Sequence, residues 1–229
     1  MKQLLLDIAP PYLPTLENFV PGRNLELFQI LKNILEGQEQ ERFIYLWGGK
    51  GCGKSHLLQA VVETCTRNKL DAAYINCGIT QNSNTGFHVI DKIDCLTIDD
   101  VDHLNASTQI DLFNLYNHIR DECHSLMLVS GSVAPSQLNL REDLVTRLGW
   151  GLVYQVHELS DDEKIQAMKN HAKRKGFELP QDVCNYLLRH VKRDLPSLIV
   201  TLDALDLYSL REKRPITIPM LRELLLPAS

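Results

Sequence analysis

The feature that most constrains this chain is a glycine-rich octapeptide between an apolar run and an amphipathic segment. The octapeptide is Gly48-Gly49-Lys50-Gly51-Cys52-Gly53-Lys54-Ser55; it follows the apolar run Phe43–Trp47 and leads into a helical pattern over Lys54–Arg67. Its G-x-x-x-x-G-K-[ST] spacing is typical of a loop that wraps phosphate groups between a strand and a helix. A glycine-rich turn that binds no ligand is the alternative. Because the full spacing and both flanking elements are present, we predict a phosphate-binding loop.

The residue types in this loop suit a nucleoside phosphate. The glycines let backbone N–H groups curl around phosphate oxygens, and the following helix contributes the positive end of its dipole. Lys54 supplies a mobile charge for the outer phosphates, and the Ser55 hydroxyl is a ligand for Mg²⁺. We therefore expect ADP or ATP with Mg²⁺ as cofactors. Cys52 stands where a helix N-terminus lowers the pKa of a thiol, so a redox role is open, but a filler position is favoured.

Two carboxylates end a later apolar run, in the sequence Leu96-Thr97-Ile98-Asp99-Asp100. Ligands gather at the carboxyl ends of parallel strands, so this pair is expected beside the phosphate loop. We predict that Asp99 holds the water shell of the metal and that Asp100 orients or deprotonates an attacking water. Taken alone, two aspartates at a strand end are an ordinary turn. The upstream phosphate loop favours the catalytic interpretation.

Two further candidates depend on context. Ser130-Gly131-Ser132 follows another apolar run, and its hydroxyls, that of Ser132 in particular, are placed to sense a γ-phosphate or its water. A polar strand exit explains the triplet equally well. Arg147 lies on a short predicted helix over residues 141–148, where it is either a surface charge or a catalytic guanidinium.

Short apolar runs that alternate with helical patterns predict the fold class. The runs span residues 43–47, 72–75, 95–98, 126–129 and 152–156. They predict an α/β domain with a five-stranded parallel sheet and helices on both faces. From Ser160 the pattern is helical, with predicted helices over 160–175, 180–191, 194–210 and 219–226 and one strand signal at 216–218. The predicted organisation is an arm over 1–22, a nucleotide-binding domain over 23–159 and a small helical domain over 160–229.

Composition excludes several classes of protein. Hydrophobic residues make up 44% of the 229 residues and charged residues 23%, which is ordinary for a globular chain. The net charge of -5 argues against a general binder of nucleic acid or membrane surfaces. No apolar stretch approaches the roughly 18 residues of a membrane span. The six cysteines form no CxxC pair, so we expect free thiols and a soluble cytoplasmic protein.

The N-terminal arm contains a candidate docking peptide. Gln3 is followed by the aliphatic residues Leu4, Leu6 and Ile8, and such a peptide can dock in extended form into an apolar groove. Short motifs of this kind also arise by chance, so a frayed or edge-pairing terminus is the alternative.

Together these motifs resemble the AAA+ ATPase family, and within it the DnaA-related proteins of the Hda type. Asn18-Phe19-Val20-Pro21-Gly22 looks like the segment beside adenine, and residues 47–60 look like the phosphate loop. Residues 146–152 look like the box that carries an arginine finger. Residues 176–180 and 201–206 look like the Hda lid, and no helix-turn-helix DNA-binding domain follows them, so we expect no direct sequence-specific DNA binding.

The resemblance implies a regulator of chromosomal replication initiation. Such proteins dock on the DNA polymerase III beta sliding clamp through an N-terminal peptide and stimulate ATP hydrolysis by DnaA. The resemblance implies that Arg147 is the finger, acting in trans, with Asp100 as the acidic partner of Asp99. It implies a clamp peptide made of Gln3, Leu4, Leu6 and Ile8. It also implies nucleotide contacts from Phe19, Val20, Gly48, Gly49, Lys50, Gly51, Cys52, Gly53, Lys54, Ser55, His56 and Ser132, with Ser55 and Asp99 on Mg²⁺.

The chain departs from the family pattern at two positions. Pro196 stands where a sensor arginine is common, and Ser132 stands where DnaA-like chains often have an acid. Neither residue carries charge, so we expect weak ATPase activity at the chain's own site. Two rivals stay open, namely a self-sufficient AAA+ ATPase such as a helicase loader, and a clamp-tethered adaptor with a structural nucleotide. A homo-oligomer is also open.

Overall fold

The structure is a computed structural model that describes residues 13–79, 93–122 and 124–225. The chain divides into two compact units, which meet in sequence between Glu158 and Leu159. The first unit begins at Pro14 and contains all five strands; the second contains the last four helices. None of the helices in the described residues is long and apolar enough to cross a membrane.

The first unit alternates strands with helices. Its strands are β1 (Phe43–Trp47), β2 (Ala72–Asn76), β3 (Cys95–Asp99), β4 (Leu126–Gly131) and β5 (Leu152–Gln155). Its helices are α1 (Leu25–Leu35), α2 (Lys54–Arg67), α3 (Ala106–Glu122) and α4 (Glu142–Leu148).

The strands form one sheet in the order β2-β3-β4-β1-β5, and every neighbouring pair is parallel. The predicted five-stranded parallel sheet is therefore confirmed. The register sets Trp47 beside Gly131 and Asn76 beside Asp99, so the strands end together at one edge. The loop after β1, the two aspartates at the end of β3 and the serines at the end of β4 consequently meet at that edge.

Apolar side chains on both faces hold the sheet in place. One core, which includes Leu57, Leu58 and Val61 of α2, packs on one face, and a second core, which includes Leu112 and Ile119 of α3, packs on the other. Burial on both faces explains why the strands read as continuous apolar runs. At Gly151 a Cβ would overlap the Phe43 carbonyl, so only glycine allows β5 to approach β1 this closely.

A buried asparagine ties the start of this unit to its end. The Asn24 side chain donates from Nδ2 to the His157 carbonyl at 2.9 Å and accepts from the His157 N–H at 2.7 Å. Residues 14–22, which the sequence assigned to an extended arm, contain a turn and bury Leu16 in the core. This part of the predicted arm is therefore packed on the nucleotide-binding unit.

The second unit is a small helical bundle. Its helices are α5 (Asp161–Lys175), α6 (Gln181–His190), α7 (Leu195–Glu212) and α8 (Ile218–Leu225). The predicted capping box is present, since Ser160 and Glu163 exchange side-chain to backbone hydrogen bonds at the start of α5. The strand signal at 216–218 was wrong: α8 begins at Ile218, and Ile216 packs into the helical core. The described part of this unit contains no strand with which such a segment could pair.

Candidate nucleotide-binding site

The loop between β1 and α2 has the backbone that a phosphate cradle needs. Gly51 and Gly53 adopt positive φ angles of 84° and 109°, which other residues seldom adopt. At Gly48 a Cβ would overlap the Val156 carbonyl oxygen. The loop thus curls tightly before α2.

Lys54 lies inside this loop. Its side chain is only 7% exposed, and Nζ donates to the carbonyls of Gly48 at 2.8 Å and Gly49 at 3.1 Å. Ser55, the next residue, is exposed, as is Lys50. Cys52 is buried, and burial raises the pKa of its thiol, although Lys54 opposes this shift. The thiol therefore stays protonated, which disfavours the redox interpretation of Cys52.

An aromatic group borders the loop. The Phe19 ring lies 5.7 Å from the Phe28 ring and 5.4 Å from the His56 ring, measured between centroids, and it also faces Gly53. His56 Nε2 lies 3.0 Å from the Thr15 carbonyl, so Nε2 carries the proton, and burial lowers the pKa of the imidazole. Val20, the residue after Phe19, is half-buried. The predicted nucleotide contacts Phe19 and His56 are thus brought together next to the phosphate loop.

Asp99 is fully buried and hydrogen-bonded at both carboxylate oxygens. The Ser130 hydroxyl donates to Oδ1 and the Tyr74 hydroxyl to Oδ2, the latter at 2.7 Å. Asn76 Nδ2 reaches Oδ2 at 3.5 Å. A carboxylate that accepts hydrogen bonds from two hydroxyls is held in one orientation.

Asp100 and Asp102 face the same edge. Asp100 has a left-handed backbone, with φ 58°, and its N–H donates to the Ser130 hydroxyl at 3.1 Å. Burial and the neighbouring Asp99 raise the pKa of Asp100, while the Lys54 ammonium opposes this shift. The Ser132 hydroxyl, predicted to sense phosphate, instead donates to Asp102 at 2.9 Å.

The donors present fit Mg²⁺ held mainly by water and phosphate. Among the residues that the structure describes, no cluster of three or more His, Cys, Asp or Glu side chains could hold a metal ion. Mg²⁺ typically keeps several waters and takes one or two protein ligands plus phosphate oxygens. An exposed Ser55 hydroxyl and an oriented Asp99 carboxylate are consistent with that coordination.

Arg147 is held by α3 and by Trp150, two residues after the end of α4. Its Nε donates to Asn117 Oδ1 at 2.9 Å, and its guanidinium carbon lies 3.8 Å from the Trp150 ring centroid and 5.3 Å from that of Phe113. The structure therefore groups Arg147 with a half-exposed aromatic surface rather than with the phosphate loop.

Several of these residues were not predicted from the sequence. Tyr74 and Asn76 bond to Asp99 from a neighbouring strand, and Phe113 and Asn117 contact Arg147 from α3. Their only sequence signal is spacing: Phe113 and Asn117 are four residues apart, which sets them on one helix face. The predicted clamp residues Gln3, Leu4, Leu6 and Ile8 lie outside the described residues. Pro196 is the second residue of α7.

A phosphate loop at the carboxyl edge of a sheet with this strand order, followed by a small helical unit, defines an AAA+ nucleotide-binding protein. The chain belongs to the family of the bacterial DnaA ATPase domain, whose model matches residues 13–155, and a model of the Hda lid domain matches residues 161–225.

Several solved structures have the same fold. Domain III of the Thermotoga maritima replication initiation protein DnaA is 24% identical, with a TM-score of 0.74 over 92% of this chain and 95% of that one. AMPPCP-bound DnaA from Aquifex aeolicus is 24% identical, with a TM-score of 0.71 over 90% of this chain and 68% of that one. A point variant of RuvB from Thermotoga maritima is 15% identical, with a TM-score of 0.67 over 96% of this chain and 72% of that one. At these identities the likeness concerns the fold.

Proposed function

We propose that this protein is a nucleotide-bound regulator that docks on the DNA sliding clamp and stimulates ATP hydrolysis by DnaA. The observation that carries the proposal is the presentation of Arg147. Its Nε is engaged by Asn117, while no ion pair to a carboxylate is found for it among the described residues. The terminal Nη groups are therefore available for an anion supplied from outside.

An arginine in this arrangement suits action on a partner's nucleotide. A finger places its guanidinium against the charge that develops on the γ-phosphate, so it needs the partner's nucleotide and no turnover at its own site. The match of residues 161–225 to the Hda lid favours a DnaA regulator within the family. The chain's own phosphate loop and Asp99 would hold ADP or ATP with Mg²⁺; AMPPCP is bound by the Aquifex aeolicus DnaA of similar fold.

The test measures ATP hydrolysis by DnaA in the presence of clamp and DNA, with this protein added. We expect strong stimulation by the wild type and a loss of about 10³-fold in Arg147→Ala. Arg147→Lys should rescue little, because a single ammonium cannot reproduce the planar guanidinium. Arg141→Ala is the matched control: Arg141 precedes the same helix, is exposed and pairs with Asp143. Normal stimulation by Arg147→Ala would refute the trans-acting mechanism.

A self-sufficient ATPase is the second candidate, favoured by the phosphate loop with its oriented Asp99. The same assay without DnaA separates the two. We expect negligible hydrolysis by the protein alone, because Pro196 offers no charge at the position where a sensor arginine is common. Rapid hydrolysis by the isolated protein, unchanged in Arg147→Ala, would instead support the loader interpretation.

Clamp docking is proposed to depend on the N-terminal peptide. The double variant Gln3→Ala with Leu6→Ala should abolish capture of the clamp in a pull-down, because it removes the amide and one aliphatic anchor. Lys2→Ala is the control and should retain capture. If the double variant still captured the clamp, the peptide would not be the docking site.

A further inference from the structure

We infer that Trp150 is a positioning residue that holds the Arg147 guanidinium in the orientation from which it acts on a partner's phosphate. The inference rests on the proposed function of Arg147 and adds the group that orients it. Trp150 follows α4 by two residues, and its backbone N–H donates to the backbone carbonyl of Arg147 at 3.1 Å. The indole is thus fixed to the same helical turn as the arginine that it contacts.

The contact is a close stack. The guanidinium carbon of Arg147 lies 3.8 Å from the centroid of the indole ring, well inside the roughly 6 Å over which a cation is attracted to an aromatic face. From α3, Asn117 Oδ1 accepts a hydrogen bond from Nε of Arg147 at 2.9 Å. An arginine side chain otherwise has many rotamers, so two contacts that define its plane and its edge remove most of that freedom.

Burial of apolar surface alone does not explain the position of the Trp150 side chain. Its side chain is 52% exposed, so half of a large aromatic surface is left in water while one part covers Arg147. A second arginine, Arg120, lies 5.2 Å from the same ring, but Asp121 pairs with it through two hydrogen bonds. Arg147 is therefore the cation on this indole that makes no hydrogen bond to a carboxylate among the described residues, although its charge also helps to lower the pKa of Asp121.

Stacking is compatible with phosphate binding. The aromatic ring engages the face of the guanidinium, whereas the N–H donors lie in its plane. Asn117 accepts from Nε, and this bond does not use the in-plane Nη donors. The stack thus restricts Arg147 without using the donors that a phosphate needs.

The test titrates this protein into the DnaA ATPase assay with clamp and DNA. Trp150→Leu should lower the maximal stimulation about tenfold, while the concentration for half-maximal stimulation stays the same, because the guanidinium is less often in place. Trp150→Phe keeps an aromatic face and should retain most of the maximum. In an Arg147→Ala background, Trp150→Leu should have no further effect, since two residues that act through one group are not additive.

Three results would overturn the inference. The first is an unchanged maximal stimulation of DnaA in Trp150→Leu. The second is a change only in the concentration for half-maximal stimulation, which would make Trp150 a partner contact. The third is an additional loss of stimulation when Trp150→Leu is combined with Arg147→Ala. If the wild type does not stimulate ATP hydrolysis by DnaA at all, the proposed function is refuted, and the contact between Trp150 and Arg147 needs a separate test. The stack is then tested by the emission of Trp150 in a Trp47→Phe background: Arg147→Ala should change it and Arg141→Ala should not. Unchanged emission in Arg147→Ala would also reject the inference.

Discussion

Replacement of Lys54 by alanine tests the nucleotide site directly. Lys54 is 7% exposed, and its ammonium already lies within the loop, bonded to the carbonyls of Gly48 and Gly49. A bound nucleotide would exchange these carbonyls for phosphate oxygens around the same charge. A charge-assisted hydrogen bond of this kind contributes roughly 1.5–3 kcal/mol. We therefore expect Lys54→Ala to weaken nucleotide binding by about 2 kcal/mol, which is about 30-fold in Kd.

Thermal unfolding gives the size of the effect. With Mg²⁺ and nucleotide at 100 times the wild-type Kd, binding stabilises the native state by about 2.7 kcal/mol. At the same concentration a 30-fold weaker variant gains only about 0.9 kcal/mol. For a protein of this length each kcal/mol moves Tm by roughly 2–4 °C, so the nucleotide-induced shift should fall from about 8 °C to about 3 °C.

The matched control is Lys50→Ala. Lys50 belongs to the same loop and its loss changes the net charge equally, but its side chain is exposed, whereas that of Lys54 is buried among the loop carbonyls. Lys50→Ala should therefore keep much more of the nucleotide-induced shift than Lys54→Ala does. If Lys54→Ala kept that shift as well, or if both variants lost it equally, the assignment of Lys54 to the phosphates would be wrong.

Further predictions concern charge, backbone space and a buried side chain. Because burial and Asp99 raise the pKa of Asp100 in the native state, its ionisation destabilises the fold as pH rises above the usual value of 3.8. Asp100→Asn should thus be more stable than the wild type in urea at neutral pH, with a gain that shrinks as pH falls toward that value. Gly151→Ala should cost roughly 1–3 kcal/mol of unfolding free energy, whereas Gly49→Ala, which meets no atom within 4 Å, should cost far less. Asn24→Ala should lower the unfolding free energy by about 2–3 kcal/mol, because it leaves two buried backbone groups of His157 unpaired; no loss in urea denaturation would contradict this.

Local sequence patterns predicted most of the architecture. The phosphate loop is encoded in eight consecutive residues, and the capping box at Ser160 and Glu163 in four, so neither depends on distant partners. Apolar runs predicted the five strands because a parallel sheet is buried on both faces. The run at 216–218 failed for the complementary reason. Its residues favour a strand, but a strand needs a neighbour with which to pair, and Pro219 is well tolerated in the first turn of α8.

The sequence by itself determined that the glycine-rich loop, the two aspartates and the serines share one edge of the sheet. Only the tertiary structure decided how those residues are oriented. Tyr74 reaches Asp99 across 25 residues and Ser132 reaches Asp102 across 30, whereas local spacing describes only a few residues at a time. Likewise, the sequence proposes Arg147 as a finger by resemblance, but only the fold shows that Asn117 and Trp150 hold its side chain. A hydrogen bond or a stack depends on distance in space, and in a sheet with crossovers that distance is set by topology rather than by position along the chain.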